Sequence, residues 1–402
     1  MSYSLLKSFY YQNESLYEEK YQERIKDENT LHLDILIHNS PCFIVQSYDI
    51  YSLVVKIYKY DREILELQKK LPGVALEQFT RRCLIDEIVL TNNIEGVNST
   101  RHEIDEVLNE LAERDTKKRF RGLVQKYLML QKKAFLPLGN AKDIREIYDE
   151  LVLAEVIEEN PRNAPDGAIF RKSSVSVQSP SQKEIHRGLY PESNIIEAVE
   201  KSLAFLNRED IELLIRIAAF HYLIGYIHPF YDGNGRLSRF ISSYLLATDL
   251  DPLIGYRLSY TIKNNISKYY ESFKTTNNPI NRGDLTPFVI SFLEIVLEAI
   301  AQLKTALQER HALLQRYTKI SKGLPTTLDS QLIYVLIQSA LFSEKGISTV
   351  ELMHHLQKSR SALSTRIKDL EEKKLILAEK RGRNKYYKLN LNYLDQISKS
   401  NN

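Results

Sequence analysis

Apolar residues recur along most of the chain at the three- and four-residue spacing of one helical face. The longest such stripes predict helices at about 51–71, from 76 onward, and at 123–135, 141–156, 211–226, 288–308 and 328–340. Helix-breaking residues are sparse, with 12 Pro and 14 Gly in 402 residues. The pattern therefore predicts a mainly α-helical protein.

Three stretches depart from the helical period. Residues 32–51 carry short apolar runs, which favour one hairpin or short strands. Residues 167–177 change to alternation, with Val175 and Val177 spaced by two, which predicts a second hairpin. Residues 1 to about 30 are polar, rich in Tyr and weakly periodic, and we predict a loosely held arm there.

Length and composition narrow the class of protein. A chain of 402 residues exceeds the size at which a single core keeps growing, so two or three domains are expected. Cys42 and Cys83 have no metal-binding spacing and form no disulfide framework, which suits a reducing compartment. The start lacks an apolar leader, and no apolar run was expected to approach the ~20 residues that span a bilayer. The sequence thus predicts a soluble, cytoplasmic protein with no membrane partner.

The most informative stretch runs from Ile227 to Arg239 and reads as a loop entering a helix. Gly233, Asn234 and Gly235 are small residues whose backbone N–H groups lie where a helix N-terminus attracts anions.

The side chains around this turn supply cationic, metal-binding and basic groups. Arg236 and Arg239 lie three apart, on one side of the first helical turn, where both guanidinium groups reach the same polyphosphate. Asp232 is a carboxylate that could hold Mg²⁺ together with phosphate oxygens. His228 is the natural general base at neutral pH. This set predicts attack by a deprotonated hydroxyl on a nucleotide phosphate.

These residues resemble the signature of the Fic family (filamentation induced by cAMP), His-Pro-Phe-x-Asp/Glu-Gly-Asn-Gly-Arg-x-x-Arg, at every specified position. The resemblance implies a helical catalytic domain that transfers AMP from ATP to a Ser, Thr or Tyr hydroxyl of a protein. It also implies a role for each matched residue: His228 as base, Asp232 for Mg²⁺, Asn234 and the flanking backbone of Gly233 and Gly235 for the α-phosphate, and Arg236 with Arg239 for the β- and γ-phosphates.

A second motif lies at the end of the helix predicted from residue 76. Gly96 fits the left-handed position after a helix, and Glu95 in the last turn faces the negative end of the helix dipole, which suggests a cationic partner. Thr91-x-x-x-Glu95-Gly96 resembles the inhibitory motif of the Fic family, Ser/Thr-x-x-x-Glu-Gly/Asn. The resemblance implies that Glu95 pairs with Arg239 and keeps ATP out of its productive pose.

The resemblance also extends to two neighbouring regions. It makes the hairpin near residues 167–177 a flap over the active site, where an extended target segment can pair with a strand edge. It makes Tyr270, one of the adjacent aromatics Tyr269 and Tyr270, a candidate for lining the adenine pocket.

The C-terminal segment carries the basic surplus of the chain. Residues 358–388 hold eleven Lys or Arg and four Asp or Glu, within a chain whose formal net charge is +3. Helix, helix-turn-helix and basic hairpin follow one another here, which is the layout of a winged helix. Its exposed polar side chains are predicted on the third helix and the wing: Arg360, Ser361, Ser364, Thr365, Lys368, Arg381 and Arg383. The composition leaves open whether this module binds DNA or docks protein, a second copy of the chain included.

Together these features predict three parts: residues 1–115 with an inhibitory helix, 116–300 with a Fic-type domain and hairpin flap, and 301–402 with a winged helix. The predicted activity is that of a protein adenylyltransferase using ATP and Mg²⁺ on a protein target, the chain itself included. Two alternatives remain open. One is a DNA-binding regulator whose Fic domain senses nucleotide. The other is an enzyme that both attaches and removes AMP.

Overall fold

The computed structural model describes residues 3–111, 119–178, 184–325, 328–381 and 384–400, with the backbone alone for 177–178, 184–185 and 397–400. Helices hold 67% of the chain, which confirms the mainly α-helical prediction. Two compact units emerge: residues 1–61 with 85–301, and residues 62–84 with 302–402.

The N-terminal elements belong to the first unit, except the ends of two long helices. They are α1 (Leu6–Tyr10), α2 (Glu14–Lys26), β1 (Thr30–Ile37), β2 (Ser40–Val45), α3 (Tyr48–Gln68), α4 (Gly73–Ile94) and α5 (Arg101–Glu110). Residues 62–68 of α3 and 73–84 of α4 fall in the second unit. β1 and β2 pair antiparallel through a turn at His38 and Asn39, both with positive φ, which confirms the first predicted hairpin.

The predicted arm at residues 1–30 is wrong: this segment forms α1 and α2 and packs into a core. Leu6, Tyr17 and Tyr21 are buried against Phe43 of β2. Tyrosine is amphipathic, so a face built from tyrosines buries rings while its hydroxyls keep polar partners, as Tyr17 does at the Ile280 carbonyl. A pattern that counts only purely apolar residues does not detect such a face.

The remaining elements of the first unit surround the predicted loop. They are α6 (Arg121–Lys132), α7 (Ala141–Tyr148), α8 (Ala154–Glu159), β3 (Ser176–Gln178), β4 (Glu184–Arg187), α9 (Glu192–Leu206), α10 (Leu213–Ile227), α11 (Asn234–Asp249), α12 (Pro252–Gly255), α13 (Leu258–Asn264), α14 (Ile266–Thr276) and the first part of α15 (Thr286–Ser321). Residues 302–321 of α15 fall in the second unit. A π-helical turn at Asp149–Leu153 joins α7 to α8. The central helices α10 and α11 are almost fully buried, which places the loop between them within the core of this unit.

Helix α15 corrects the expectation about apolar length. It is 36 residues long, and an 18-residue window within it has a mean hydropathy of 1.6, enough by length and composition to cross a membrane. Within the protein, 56% of that window is buried. Buried core helices of water-soluble proteins meet the same criteria, so these properties do not by themselves indicate a membrane span.

The second unit contains the C-terminal elements and the borrowed segment 62–84. Its elements are α16 (Ser330–Phe342), β5 (Ile347–Ser348), α17 (Thr349–Leu356), α18 (Arg360–Glu372), β6 (Ile376–Arg381), β7 (Asn384–Leu389) and α19 (Leu391–Ser400). The three strands form an antiparallel sheet in the order β5-β7-β6. The segment from α4 packs against α16, where the Phe79 and Phe342 rings meet edge to face at 6.2 Å.

Candidate active site

The candidate active site lies in the short loop between α10 and α11. Helix α10 ends at His228, whose φ of 53° and ψ of 63° are left-handed, and Pro229 has no N–H with which to continue the helix. Helix α11 begins after Gly233, whose φ of +79° is one that glycine adopts without strain. The loop therefore reverses the chain between two buried helices and presents a helix N-terminus.

Asn234 fixes the shape of this loop. Its side-chain amide donates to the Phe230 carbonyl and its Oδ1 accepts from the Phe230 N–H, both at 2.9 Å. The Phe230 ring in turn stacks on Tyr148, with centroids 3.6 Å apart. Because both polar atoms of the Asn234 side chain are hydrogen-bonded to Phe230, the group of Asn234 available to the predicted α-phosphate is its backbone N–H.

The first turn of α11 has the features of an anion site. Gly233 provides no side-chain cap, and the first turn holds no acidic residue. Arg236 is only 1% exposed, yet its Nε and Nη2 atoms are buried without a hydrogen-bond partner among the described residues. Buried donors are nearly always paired in folded proteins, so these two indicate a missing anionic ligand.

Arg239, the second predicted arginine, is occupied by the end of α4. Its Nη2 lies 2.8 Å from Glu95 Oε1, its Nε donates to Thr91 Oγ1 at 2.9 Å, and Nη2 also donates to the Thr91 carbonyl at 3.0 Å. A side chain at Gly235 would overlap the Glu95 carboxylate and would have to displace it. Gly96, with φ of +76°, follows α4 as predicted. The structure thus brings together all the residues of the two motifs that the sequence associated.

Arg239 also interacts with Tyr269. The Tyr269 hydroxyl bonds to Arg239 and, at 2.7 Å, to Nε2 of the buried His221. Burial opposes the Arg239 charge, but Glu95 and Tyr269 outweigh it and raise the pKa of Arg239. The sequence analysis singled out the neighbouring Tyr270, which is 48% exposed. Burial raises the pKa of its hydroxyl, and the charges of Glu95 and Arg239 both affect it.

His228 is partly buried and held as a neutral base. Burial lowers the pKa of its imidazole to about 4, and the positive charge of Arg171 acts in the same direction. A ring N–H bonds to the Gly225 carbonyl, so the other ring nitrogen of the neutral imidazole is an acceptor. Such a ring can take a proton from a hydroxyl placed beside it.

Asp232 lies on the loop between His228 and the anion site. Its Oδ1 accepts the N–H of Gly233, and its carbonyl accepts the Tyr148 hydroxyl at 3.1 Å. Within the described part of the chain, no group of three or more His, Cys, Asp or Glu side chains could hold a metal ion. Asp232 therefore offers a single carboxylate, the donor set that Mg²⁺ accepts when substrate phosphates and water complete its shell.

Glu87, which the sequence analysis did not single out, anchors α4. This fully buried carboxylate of α4 accepts the N–H of Ser259 at 2.8 Å and the N–H of Tyr260, at the start of α13. Burial raises the pKa of Glu87 to about 7 despite these bonds. A carboxylate inside an apolar helical stretch is the sequence signal that could have revealed it.

A second hairpin is present, but it lies mostly later in the chain than the predicted residues 167–177: β3 and β4 pair antiparallel from Ser176 opposite Arg187, and residues 167–175 form no strand. Its base contacts the loop region: His186 of β4 bonds through Nε2 to the Tyr226 carbonyl at 2.6 Å and stacks on the Tyr226 ring. The hairpin therefore contacts α10 at a residue two positions before His228.

Comparison with known proteins identifies this region. Residues 139–246 match the sequence profile of the Fic/DOC family. Protein adenylyltransferase Fic of Drosophila erecta is 32% identical over 158 residues, which are 37% of this chain and 28% of that protein. The same-named protein of Drosophila persimilis is 40% identical over 88 residues, which are 21% of this chain and 16% of that protein. The chain thus spans less than a third of the length of these relatives.

A solved structure shows the same fold over a longer range. The Fic family protein of Desulfovibrio desulfuricans G20 superposes with a TM-score of 0.51 and 19% identity, covering 85% of this chain and 96% of that one. Sequence profile, relatives and fold agree with the geometry of the loop, and residues 139–246 of this chain are similar to the Fic/DOC domain.

Proposed function

We propose that the protein is an adenylyltransferase that transfers AMP from ATP to a Ser, Thr or Tyr hydroxyl of a protein target. The observation that carries the proposal is the pair of unpartnered, buried Arg236 donors at an uncapped helix N-terminus. Beside them on the same loop is His228, a neutral imidazole. Relatives that share this region are named protein adenylyltransferases, which agrees with a nucleotide phosphate as the missing anion.

In the proposed reaction the His228 imidazole takes the proton of the target hydroxyl as the oxygen attacks the α-phosphorus. The new bond joins that oxygen to the α-phosphorus, and the bond from the α-phosphorus to the bridging oxygen breaks, so pyrophosphate leaves. The α11 N-terminus and Arg236 hold phosphate oxygens, and Asp232 would hold Mg²⁺. The metal would supply positive charge against the phosphates as charge moves onto pyrophosphate.

We further propose that the protein rests in an autoinhibited state. Arg239 is the second arginine of the motif, and its guanidinium is engaged by Glu95 and Thr91. A γ-phosphate that needs this guanidinium would have to displace the Glu95 carboxylate. The ion pair therefore competes directly with productive seating of ATP.

ATP labelled on either the α- or the γ-phosphate tests the reaction type. The Glu95→Gly chain, incubated with a divalent cation and each label, should retain α-label on protein and release γ-label. Retained γ-label would mean phosphoryl transfer instead. Absence of both labels from protein, in a chain that still binds ATP, would refute the proposed transfer for the chain as its own target.

The two orphaned donors of Arg236 make a separate prediction. Arg236→Met should weaken binding of an ATP analogue with a methylene bridge between the α- and β-phosphorus by roughly 10- to 100-fold, because charge-assisted hydrogen bonds are lost. Without nucleotide the same variant should melt at a higher temperature, since unpaired buried donors destabilise the fold. Calorimetric titration and thermal unfolding measure the two effects in the Glu95→Gly background.

Arg208→Met serves as the control for Arg236, because Arg208 pairs with Asp210 at the surface and should change neither quantity. Unaltered analogue affinity in a folded Arg236→Met variant would remove Arg236 from the proposed phosphate site.

A second candidate function concerns the C-terminal unit, and the exposed face of α18 favours it. Arg360, Ser361, Ser364 and Thr365 are exposed, and the first turn holds no acidic residue. The order α16-β5-α17-α18-β6-β7 is that of a winged helix, so we propose that α18 contacts DNA phosphates. Ion pairs neutralise part of the positive charge of this segment: Arg366 pairs with Asp329, and Lys385 pairs with Glu371. Predicted wing residue Arg383 lies outside the described residues.

If α18 contacts phosphates, Arg360→Ala should weaken binding of the full chain to duplex DNA and lower the slope of log affinity against log salt by about one. Fluorescence anisotropy of a labelled duplex over a salt series measures both. Lys132→Ala, which removes an exposed charge from α6, should leave the slope unchanged. A parent chain that shows no salt-dependent binding would exclude the DNA proposal and favour protein docking for this unit.

A further inference from the structure

Arg171 is a buried cation with an unusual set of partners. Its side chain is 0% exposed. Its Nε donates to the His228 carbonyl at 2.9 Å, Nη1 to Ser173 at 2.6 Å, and Nη2 to Leu189 at 2.9 Å and to Ile227 at 3.4 Å. All four acceptors are main-chain carbonyls. Buried guanidinium groups usually pair with a carboxylate, but no carboxylate in the described ranges pairs with this one.

The acceptors come from two places that must be held together. Ile227 and His228 carry carbonyls at the C-terminal end of α10, which lack helical partners and lie at the negative end of the helix dipole. Ser173 and Leu189 lie just outside the two strands of the β3-β4 hairpin. The main chain of Arg171 adds a bond from its N–H to the Pro229 carbonyl at 3.4 Å. One side chain thus ties the base of the hairpin to the main chain of His228.

The conformation of His228 explains why such a tie is needed. Its φ of 53° is left-handed, a region that a residue with a side chain occupies only when its surroundings hold it there. Arg171 bonds to the carbonyls at and immediately before this residue. Gly188 leaves room for the arrangement, because a Cβ there would overlap Arg171 Nη2 and lie 3.0 Å from the His228 Cβ. The packing therefore leaves the His228 backbone little freedom to relax.

Arg171 also acts on the imidazole through its charge. Burial is the main cause of the low pKa of His228, and the Arg171 guanidinium lowers it further. Burial lowers the pKa of Arg171 itself, and among the described residues no carboxylate forms an ion pair with its guanidinium. Loss of this charge should therefore let the pKa of His228 rise.

We propose that Arg171 is a positioning residue for the His228 base: its guanidinium fork holds the left-handed main chain that aims the imidazole, and its charge disfavours a second positive charge on the ring. This inference rests on the proposed role of His228 in AMP transfer. It assigns Arg171 no contact with substrate.

Two substitutions distinguish the hydrogen-bonding role of the Arg171 guanidinium from the effect of its charge. Arg171→Lys keeps a positive charge but loses the planar set of donors, so transfer should slow while the pKa of His228 stays low. Arg171→Met loses both, so transfer should slow and the pKa should rise toward its ordinary value of about 6.5. We expect kcat of the Glu95→Gly chain to fall roughly 10- to 100-fold, the cost of a small misplacement of a catalytic group, with KM for ATP nearly unchanged.

The pKa is read without activity, from the pH titration of imidazole NMR signals in ¹³C-histidine-labelled full chain, with the His228 signal identified by its absence from His228→Ala. Arg216→Met is the matched control, since Arg216 on α10 also donates to a main-chain carbonyl, that of Leu206 at 2.6 Å. It lies about 18 Å from His228 along the helix and should leave both readouts at parent values.

The outcomes are distinct. Slowed transfer in both variants, with a raised pKa in Arg171→Met alone, supports the inference. If Arg171→Met does not fold, Arg171→Lys still decides, because a parent-like kcat there overturns the role of the fork. A parent-like pKa in folded Arg171→Met overturns the role of the charge. If the Glu95→Gly chain transfers nothing, the proposed function fails, yet the titration still reports whether Arg171 sets the state of His228.

Discussion

Replacing Glu95 with Gly is expected to raise transfer of the α-phosphate to protein by roughly 10³-fold, the scale of arginine contacts to phosphoryl charge in other enzymes. Arg239 is 1% exposed and forms an ion pair with Glu95, with Nη2 and Oε1 2.8 Å apart. Without that carboxylate, Arg239 keeps two neutral bonds to Thr91. A γ-phosphate would then meet a guanidinium that no other anion occupies.

The measurement is protein-bound α-label per minute for the parent, Glu95→Gly and Glu95→Gln chains. Glu95→Gln removes the charge but keeps the shape, so it should activate less than Glu95→Gly and more than the parent. Asn93→Gly is the matched control, because it places a flexible residue in the exposed last turn of α4 and leaves the ion pair intact. Equal activation by Asn93→Gly would attribute the effect to loosening of the helix end, and a silent Glu95→Gly chain would contradict autoinhibition.

Many local elements of the fold follow from short-range rules that can be applied to a sequence alone. The capping boxes of Thr100 with Glu103 and of Ser348 with Glu351 both form, because each joins residues three apart and needs no tertiary context. Gly96 after α4 obeys the same kind of rule. The helix α10, the loop and the first turn of α11 likewise follow from apolar spacing broken by Pro and Gly.

Contacts between distant parts of the chain could not be predicted in this way. Arg171 and His228 are 57 residues apart, and Glu87 and Ser259 are 172 apart. No spacing rule pairs residues so far apart in sequence, and neither Arg171 nor Glu87 belongs to a recognisable motif. The pairing of Glu95 with Arg239 was available only because a family resemblance supplied the partner.

The adjacent tyrosines show a limit of a different kind. The sequence analysis selected Tyr270 of this pair as a candidate site residue. Tyr270 is 48% exposed, whereas Tyr269 is buried and bonds to Arg239. Neighbours on a helix differ by about 100° in direction, so one faces the core and the other does not. Without the packing partner of α14, periodicity cannot say which of the two faces Arg239.

Replacing His228 with Ala in the Glu95→Gly background is expected to lower AMP transfer by roughly 10²- to 10⁴-fold, the usual contribution of a positioned base. Affinity for the methylene-bridged ATP analogue should stay within about twofold, because the phosphate contacts belong to α11 and not to the imidazole. Calorimetry and label incorporation measure the two quantities on the same preparation. Equal loss of both would show that His228 serves binding, not proton transfer.

The pH profile gives the same assignment a second test, because the pKa of His228 is lowered to about 4. A base works when deprotonated, so transfer by the Glu95→Gly chain should stay level through about pH 6.5, where an ordinary histidine titrates, and decline only as the pH approaches that lower value. The same lowered pKa destabilises the fold in acid. Below about pH 6.5 the unfolded chain binds a proton that the folded imidazole does not, so the free energy of unfolding decreases as the pH is lowered. Circular dichroism at each pH separates the two effects, because loss of transfer in a fully folded chain reports the base itself. A decline centred near pH 6.5 without unfolding would mean that His228 is not held neutral as the structure indicates.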